Sequence, residues 1–201
     1  MTDTLNVIIK RRSVRKFKDT PIPENVLNEM LEAARHAPSP GNGQGHCFGI
    51  IRDKSLKGQL AEAAGKQMWI AEAPVIFACC ADISWDIAKE PQDSLGVHIN
   101  HLRFGKDFID YLCEYPNRKQ CMQFFENAMP LIPAEHIFLA ATAHGLNGCL
   151  VGWLDVAKAN EILNLPEQLS CLFLLPIGYA DESPGQKKLK SIEDITFYDK
   201  W

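Results

Sequence analysis

The 201-residue chain reads as an α+β or α/β domain built on a mixed sheet, and three observations lead there. Amphipathic helical patterns and strand-like runs alternate along the chain. The runs Pro74–Ala81 (PVIFACCA) and Leu169–Tyr179 are apolar without interruption and of strand length, the pattern of strands covered on both faces. Composition is that of a globular chain, 46% hydrophobic and 23% charged, with no repeat, low-complexity stretch or long Pro/Gly/Ser linker, so one domain over residues 1–201 is expected.

Residues 4–12 carry Leu5, Ile8, Ile9 and Arg12 at helical spacing, and residues 24–36 repeat the pattern with Val26, Leu27, Met30, Leu31 and Ala34. The second helix is opened by Pro23 and closed before Pro38, where proline fits a helix start and stop. A Gly/Pro/Ser/Asn loop follows, then a strand at His46–Arg52, a helix at Ser55–Lys66 and the strand at Pro74–Ala81. Residues 84–128 mix Trp85, Phe104, Phe108, Tyr111, Tyr115, Phe124 and Phe125 with many charges; they are expected to be a helical excursion, packed on the core or closing over a pocket as a lid. Pro133–His144 is helical and stops at Gly145. A strand at Gly148–Leu154, a short helix at Val156–Leu163 and the long strand at Leu169–Tyr179 complete the series.

Twenty-one basic and 25 acidic residues give a formal net charge of -4, so the surface as a whole offers no reason to expect nucleic acid or an anionic membrane as partner. The N-terminal segment has only a four-residue apolar run, followed rather than preceded by cations, unlike a secretory signal. No stretch approaches the roughly 18 apolar residues that span a bilayer, and a cytoplasmic location is expected. Seven cysteines, with Cys79, Cys80 and Cys171 inside strand-like runs, read as buried thiols in a reducing compartment. There is no C-x-x-C; the one loose set of metal-ligand types is His98, His101, Cys113 and Cys121, and no metal is expected.

Gly41, Gly43 and Gly45 do not make a dinucleotide fingerprint, because His46 stands where the third glycine is needed and the loop follows a helix instead of a strand. P-loop and nucleophile-elbow motifs are absent. Lys10–Lys16 places five cations and Ser13 in seven residues, the donor set of a phosphate cradle; the same cations would also suit a helix C-terminus. The loop from Ala37 to His46 has three glycines and no β-branched residue, so its backbone can approach a planar ligand closely, with Ser39, Asn42 and Gln44 as hydrogen-bonding groups. In Lys187-Lys188-Leu189-Lys190 an extended chain puts Lys188 and Lys190 on one face, where they would meet the same anion if the tail folds back.

Together these segments resemble the FMN-dependent nitroreductase family. The resemblance is carried by Arg11-Arg12-Ser13-Val14-Arg15-Lys16-Phe17, Glu32-Ala33-Ala34-Arg35-His36-Ala37-Pro38-Ser39 and Asn42-x-Gln44. It continues through Ala73-Pro74, His144-Gly145-Leu146-Asn147-Gly148-Cys149 to Trp153, Leu165-Pro166-Glu167 and Pro176-Ile177-Gly178-Tyr179. It implies an α+β sandwich with a mixed, mainly antiparallel sheet flanked by helices, in an intertwined homodimer with FMN at each interface site. It implies cofactor contacts from Arg11, Arg12, Ser13, Arg15, Lys188 and Lys190 at the phosphate and ribityl chain, and from Pro38, Ser39, Asn42, Gln44, Gly152 and Trp153 around the flavin ring. The chain departs from the family where the loop reads Gln44-Gly45-His46 instead of Gln-Pro-Trp, where a helix opens Pro133-Ala134-Glu135-His136, and throughout 84–128, the region that shapes the acceptor pocket.

The activity implied is a two-step oxidoreductase reaction in which NAD(P)H delivers electrons and leaves before a nitroaromatic, quinone or other conjugated acceptor takes them. No catalytic side chain is assigned, since the cofactor carries the chemistry. Two other readings stand beside it: a flavin-binding redox sensor without turnover, built on the vicinal Cys79-Cys80 pair, and a specialised dehalogenase or enoate reductase.

Overall fold

In a computed structural model, residues 3–201 are described; Met1 and Thr2, part of the expected 1–201 domain, lie outside them. The helices are α1 (Asp3–Lys10), α2 (Glu24–Arg35), α3 (Lys54–Ala63), α4 (Leu95–Phe104), α5 (Lys106–Glu114), α6 (Arg118–Phe125), α7 (Leu131–Ala143) and α8 (Val156–Ile162). The strands β1 (His46–Ile51), β2 (Val75–Asp82), β3 (Asn147–Gly148) and β4 (Leu169–Gly178) form one antiparallel sheet in the order β1-β2-β4-β3.

Alternation along β2 and β4 builds a core on each side of the sheet. Phe77, Cys79, Leu175 and Ile177 face α2 and α7, where Leu27, Met30, Ile137 and Phe138 pack on them. Ile76, Ala78, Cys80, Cys171 and Leu174 face α3 and α8, against Leu60, Ala61, Ala64 and Ala159. The result is an α+β sandwich with helices on both faces. Burial of β2 from Val75 to Ala81 explains why it reads as an unbroken apolar run, with the exposed Asp82 ending it.

Local signals set the element ends. The Asp53 side chain accepts from Leu56 N at 2.8 Å to start α3, and Asp155 accepts from Lys158 N at 3.0 Å to start α8. At the end of α7, Gly145 (φ 76°) donates to Thr142 O and Leu146 to Ala141 O, a paired closure that needs the left-handed backbone glycine tolerates. α7 starts at Leu131, two residues before the expected Pro133; a proline in the first turn loses no intrahelical bond.

Two expectations are corrected. The strand expected over 148–154 is a two-residue strand at Asn147–Gly148 and an isolated bridge from Val151 to Leu174. The register is continuous, but between the two stands Cys149 opposite Pro176: Cys149 N donates to Pro176 O at 3.3 Å, and proline has no N–H to return the bond. The helix expected over 4–12 ends at Lys10 because the following residues are drawn into extended pairing, with Ser13 bridging Gly148 and Phe17 bridging Ala180.

The excursion at 84–128 folds as three short helices. Ile87, Val97 and Ile109 form a small core with Trp85, Leu112 and Phe125, while Met122 joins Ala81, Ile83 and Leu172 at the end of the sheet. It is therefore packed on the core, yet Leu95, Leu102 and Phe124 remain about 70% exposed on its outside.

Candidate functional site

The basic segment is held along the β3 edge. Val14 and Phe17 are buried against Ala73, Trp69 and Ala180, and Val14 N donates to Gly148 O at 2.8 Å. Further along, Lys18 N donates to Tyr179 O and Asp181 N to Lys16 O. Anchoring these two apolar side chains turns Ser13 and Arg15 outward. A Cβ on Gly148 would lie 2.5 Å from Pro176 O, so only glycine lets β3 close this tightly on β4 while its carbonyl takes the Val14 N–H.

Three cations meet at the C-terminus of α1. Arg12 Nη1 donates to Ile9 O at 2.7 Å and Arg11 O at 3.1 Å, and Lys187 Nζ, returning on the C-terminal tail, donates to Ile9 O at 3.2 Å. Arg11 lies over the Phe138 ring at 5.1 Å with Glu135 3.6 Å away. These bonds realise the helix-capping role, but one carboxylate does not balance the cluster. The Lys187 amine is pushed below its ordinary range by loss of hydration and then by the Arg11 and Arg12 charges.

Arg15 points elsewhere, over the Trp69 ring at 5.7 Å. Its backbone N–H and that of Lys16 both donate to the Glu182 carboxylate, at 2.5 and 3.2 Å. These two amides thus already hold an anionic group.

The loop after α2 is strained. A single 3-10 turn spans Pro40–Asn42, and Asn42 (φ 54°) and Gln44 (φ 50°) are left-handed without being glycine. The Ser39 hydroxyl accepts from Gln44 N at 3.0 Å and Gln44 Nε2 donates to Asn42 O at 3.3 Å, so part of the polar set fixes the loop's own shape. Pro38 is exposed at its start. Beyond it, His46 Nδ1 is buried without a hydrogen-bond partner, and burial lowers its basicity. Among the described residues no hydrogen bond or ion pair joins this loop to the arginine segment.

Gly152 faces the Phe173 ring, 3.3 Å from where a Cβ would stand, and Trp153 is 73% exposed with its indole laid on Gly65. Trp153 bounds a 520 Å³ cavity with Lys66, Asp155 and Lys158. Lys188 and Lys190 are exposed; Lys187 is the tail lysine brought to the arginines. The contact is made by Lys187, on the side of the tail away from the exposed Lys188. The Trp69 and Glu135 contacts carried no sequence signal.

Other groupings come apart. Cys79 and Cys80 point to opposite faces of β2, as neighbours in a strand must. His101 Nε2 pairs with Asp110 at 3.2 Å and Cys121 Sγ donates to Leu112 O at 3.5 Å. Among the described residues no three His, Cys, Asp or Glu side chains are placed to hold a metal ion, and no helix is long and apolar enough to cross a membrane.

Comparison with known proteins agrees with this architecture. The chain is 29% identical over 181 residues to an NADH dehydrogenase of Thermus thermophilus, covering 90% of this chain and 88% of that one. It is 25% identical over 189 residues to an NADPH-flavin oxidoreductase of Vibrio harveyi, covering 93% and 70%. The fold superposes on the V. harveyi NADPH:FMN oxidoreductase solved with NAD+ (TM-score 0.76, 22% identity, 100% of this chain and 78% of that one). It also superposes on NfrA2 of B. megaterium (TM-score 0.77, 22% identity, 100% and 76%). The model of the nitroreductase family matches residues 8–179, from the last turn of α1 through the end of β4, and so takes in the arginine segment, the strained loop and the sheet: the chain belongs to the nitroreductase family.

Proposed function

We propose that the protein is an FMN-dependent oxidoreductase that passes electrons from NAD(P)H to a nitroaromatic, quinone or other conjugated acceptor. The observation that carries this reading is the convergence of Arg11, Arg12 and Lys187 in a chain of net charge -4. Like charges held together, with the Lys187 amine made less basic by lost hydration and by its cationic neighbours, are the arrangement a phosphate relieves. The residues present therefore fit a phosphate-bearing cofactor. Relatives named as flavin oxidoreductases and FMN reductases support FMN as that cofactor.

When bound, FMN supplies the electron-accepting and electron-donating chemistry. The protein's part is to hold and orient it. Arg11, Arg12, Ser13 and Lys187 would hold the phosphate end, with Arg15, Lys188 and Lys190 close in sequence to that cluster. Pro38, Ser39, Asn42 and Gln44 would border the ring with backbone already fixed by the Ser39–Gln44 bond, so little order is lost on binding. Gly152 and Trp153 would lie along another edge.

The separation of loop and arginine segment within one chain favours a homodimer in which each site draws on both copies. Surface area supports it. One chain of 22.5 kDa exposes 12363 Å², against ~9,500 Å² for a folded monomer of that mass. We infer one FMN-binding domain per chain, with 84–128 bordering the acceptor.

An absorbance spectrum of the purified protein tests the reading. A yellow preparation, or a colourless one that takes up added FMN and then oxidises NAD(P)H with a quinone, is expected. Protein that neither carries nor binds FMN overturns it.

A further inference from the structure

Three thiols stand in one row across the sheet. Cys47 on β1 is the register partner of Cys80 on β2, and Cys80 is the partner of Cys171 on β4. Directly opposed residues present their side chains to the same face, so the row lies on the α3/α8 side, where Cys80 and Cys171 join one apolar cluster.

The row exists because of a bulge. Down to Cys79 the pairing runs Ala78 with Leu174 and Cys79 with Phe173; the register then shifts so that Cys171 instead of Leu172 faces Cys80. The irregularity is stabilised from α8. Cys171 N donates to Asn160 Oδ1 at 2.8 Å, and Asn160 Nδ2 donates to Ser170 Oγ at 3.0 Å. Asn160 is itself buried, and Gln123 Nε2 donates to the same hydroxyl at 3.0 Å.

Exposure is graded along the row: Cys47 is open to solvent, Cys80 is 2% exposed and Cys171 fully buried. Neighbouring strands lie about 4.8 Å apart, and directly opposed Cα atoms fall within the span a disulfide bridges. The Cys80 thiol donates to Ala78 O and the Cys171 thiol to Phe173 O, each at 3.5 Å; with the two side by side, the neighbouring thiol draws Cys80 below its ordinary range and pushes Cys171 above it. By contrast, Cys79 faces the opposite core, and burial first, then the neighbouring Cys80, pushes its thiol far up.

We propose that Cys47, Cys80 and Cys171 form a thiol relay that carries oxidation by a hydroperoxide from the surface into a buried Cys80–Cys171 disulfide. The Cys47 sulfur attacks the peroxide; the O–O bond breaks, one oxygen stays on Cys47 as a sulfenic acid and the other leaves as water or an alcohol. The Cys80 sulfur then attacks the Cys47 sulfur, an S–S bond forms, and the sulfenic oxygen leaves as water with the Cys80 proton. Finally the Cys171 sulfur attacks Cys80 from the side opposite Cys47, as the row allows; the first disulfide breaks and Cys47 regains a proton, the one Cys171 gives up. The net change is two thiols oxidised to one disulfide and one peroxide reduced. This chemistry uses neither flavin nor nicotinamide and is independent of the proposed reductase activity.

The test uses the reduced full-length protein, hydrogen peroxide and no NAD(P)H, with samples quenched by an alkylating reagent after unfolding and mapped by peptide mass. The expected product is a Cys80–Cys171 link with Cys47 still alkylatable. Cys47→Ser, a mild change at an exposed site, should slow the link by about tenfold or more. Cys171→Ser should stop the relay at a Cys47–Cys80 link. The proposal is overturned if Cys80 and Cys171 both remain alkylatable while Cys47 oxidises alone, if Cys47→Ser links them at the wild-type rate, or if Cys171→Ser yields no Cys47–Cys80 link.

Discussion

Gly148 ties stability to the site through one missing atom. Its carbonyl accepts from Val14 N, and any Cβ would sit 2.5 Å from the Pro176 carbonyl oxygen, a backbone atom that cannot swing aside. Gly148→Ala is expected to cost about 1–3 kcal/mol in thermal unfolding and also to loosen the arginine segment, so that FMN affinity falls more than in an alanine variant of equal stability elsewhere. Equal affinity in the two would separate the strand contact from the site. Lys187 gives a second residue-level prediction. If it serves the phosphate as well as the helix end, Lys187→Ala should weaken FMN binding about tenfold, as loss of a charged hydrogen bond of about 1.5 kcal/mol would do. Titration of the apoprotein with FMN decides it. A larger loss in Lys188→Ala than in Lys187→Ala would leave Lys187 as a helix cap alone. The arginine cluster was legible because five cations in seven residues stand out from a net acidic chain. Lys187 was not, because choosing among adjacent lysines requires the path of an irregular tail.

Among the elements, the excursion depends most on one side chain. Arg118 donates from Nη2 and Nε to the Asp86 carboxylate at 2.5 and 3.2 Å and from Nη1 to the carbonyls of Leu112, Cys113 and Tyr115, so it ties the start of the excursion to the end of α5. The Asp86 side chain is 5% exposed. Removing its partner strands a mostly buried carboxylate, and Arg118→Ala is expected to cost about 2–4 kcal/mol, seen as lost hydrogen-exchange protection in α4–α6 while the sheet stays protected. Acid should act on the same joint. The Arg118 hydrogen bonds hold the Asp86 carboxyl below its ordinary 3.8, so the pair's contribution is complete above about pH 4 and is lost as pH falls through the lower folded value. Protection of the excursion should therefore drop below pH 4 in the wild type, whereas Asp86→Asn should start lower at neutral pH and lack that step. Sequence located most elements within a residue or two, α2 from its two prolines and β2 from unbroken burial. It missed what long-range pairing decides. Pro176, on β4, cuts short a strand some 25 positions earlier, and Gly148 and Ala180 draw residues out of the α1 pattern.

At the scale of the molecule, the surplus surface has an address. Beyond Asp181 no residue of the tail is buried, and Ile192, Ile195, Phe197, Tyr198 and Trp201 are 61 to 98% exposed. Leu5, Ile8 and Ile9 on α1 are close to half exposed as well. Apolar side chains this dense on one tail are the composition of an interface. The excess over a monomer's surface is about 2,900 Å² per chain, about 5,800 Å² for a pair, which reaches the upper end of the range of obligate dimers and lies far above transient contacts. The full chain should therefore sediment at twice 22.5 kDa and stay there on dilution. Deleting residues 192–201 keeps Lys187, Lys188 and Lys190 but removes the five large side chains. That variant is expected to dissociate to monomers on dilution, and because the strained loop and the arginines of one chain are not joined, its FMN affinity should fall in step with the dimer fraction. Monomeric full-length protein, or a truncated monomer that binds FMN as tightly as the full chain, would place the whole cofactor site within one copy.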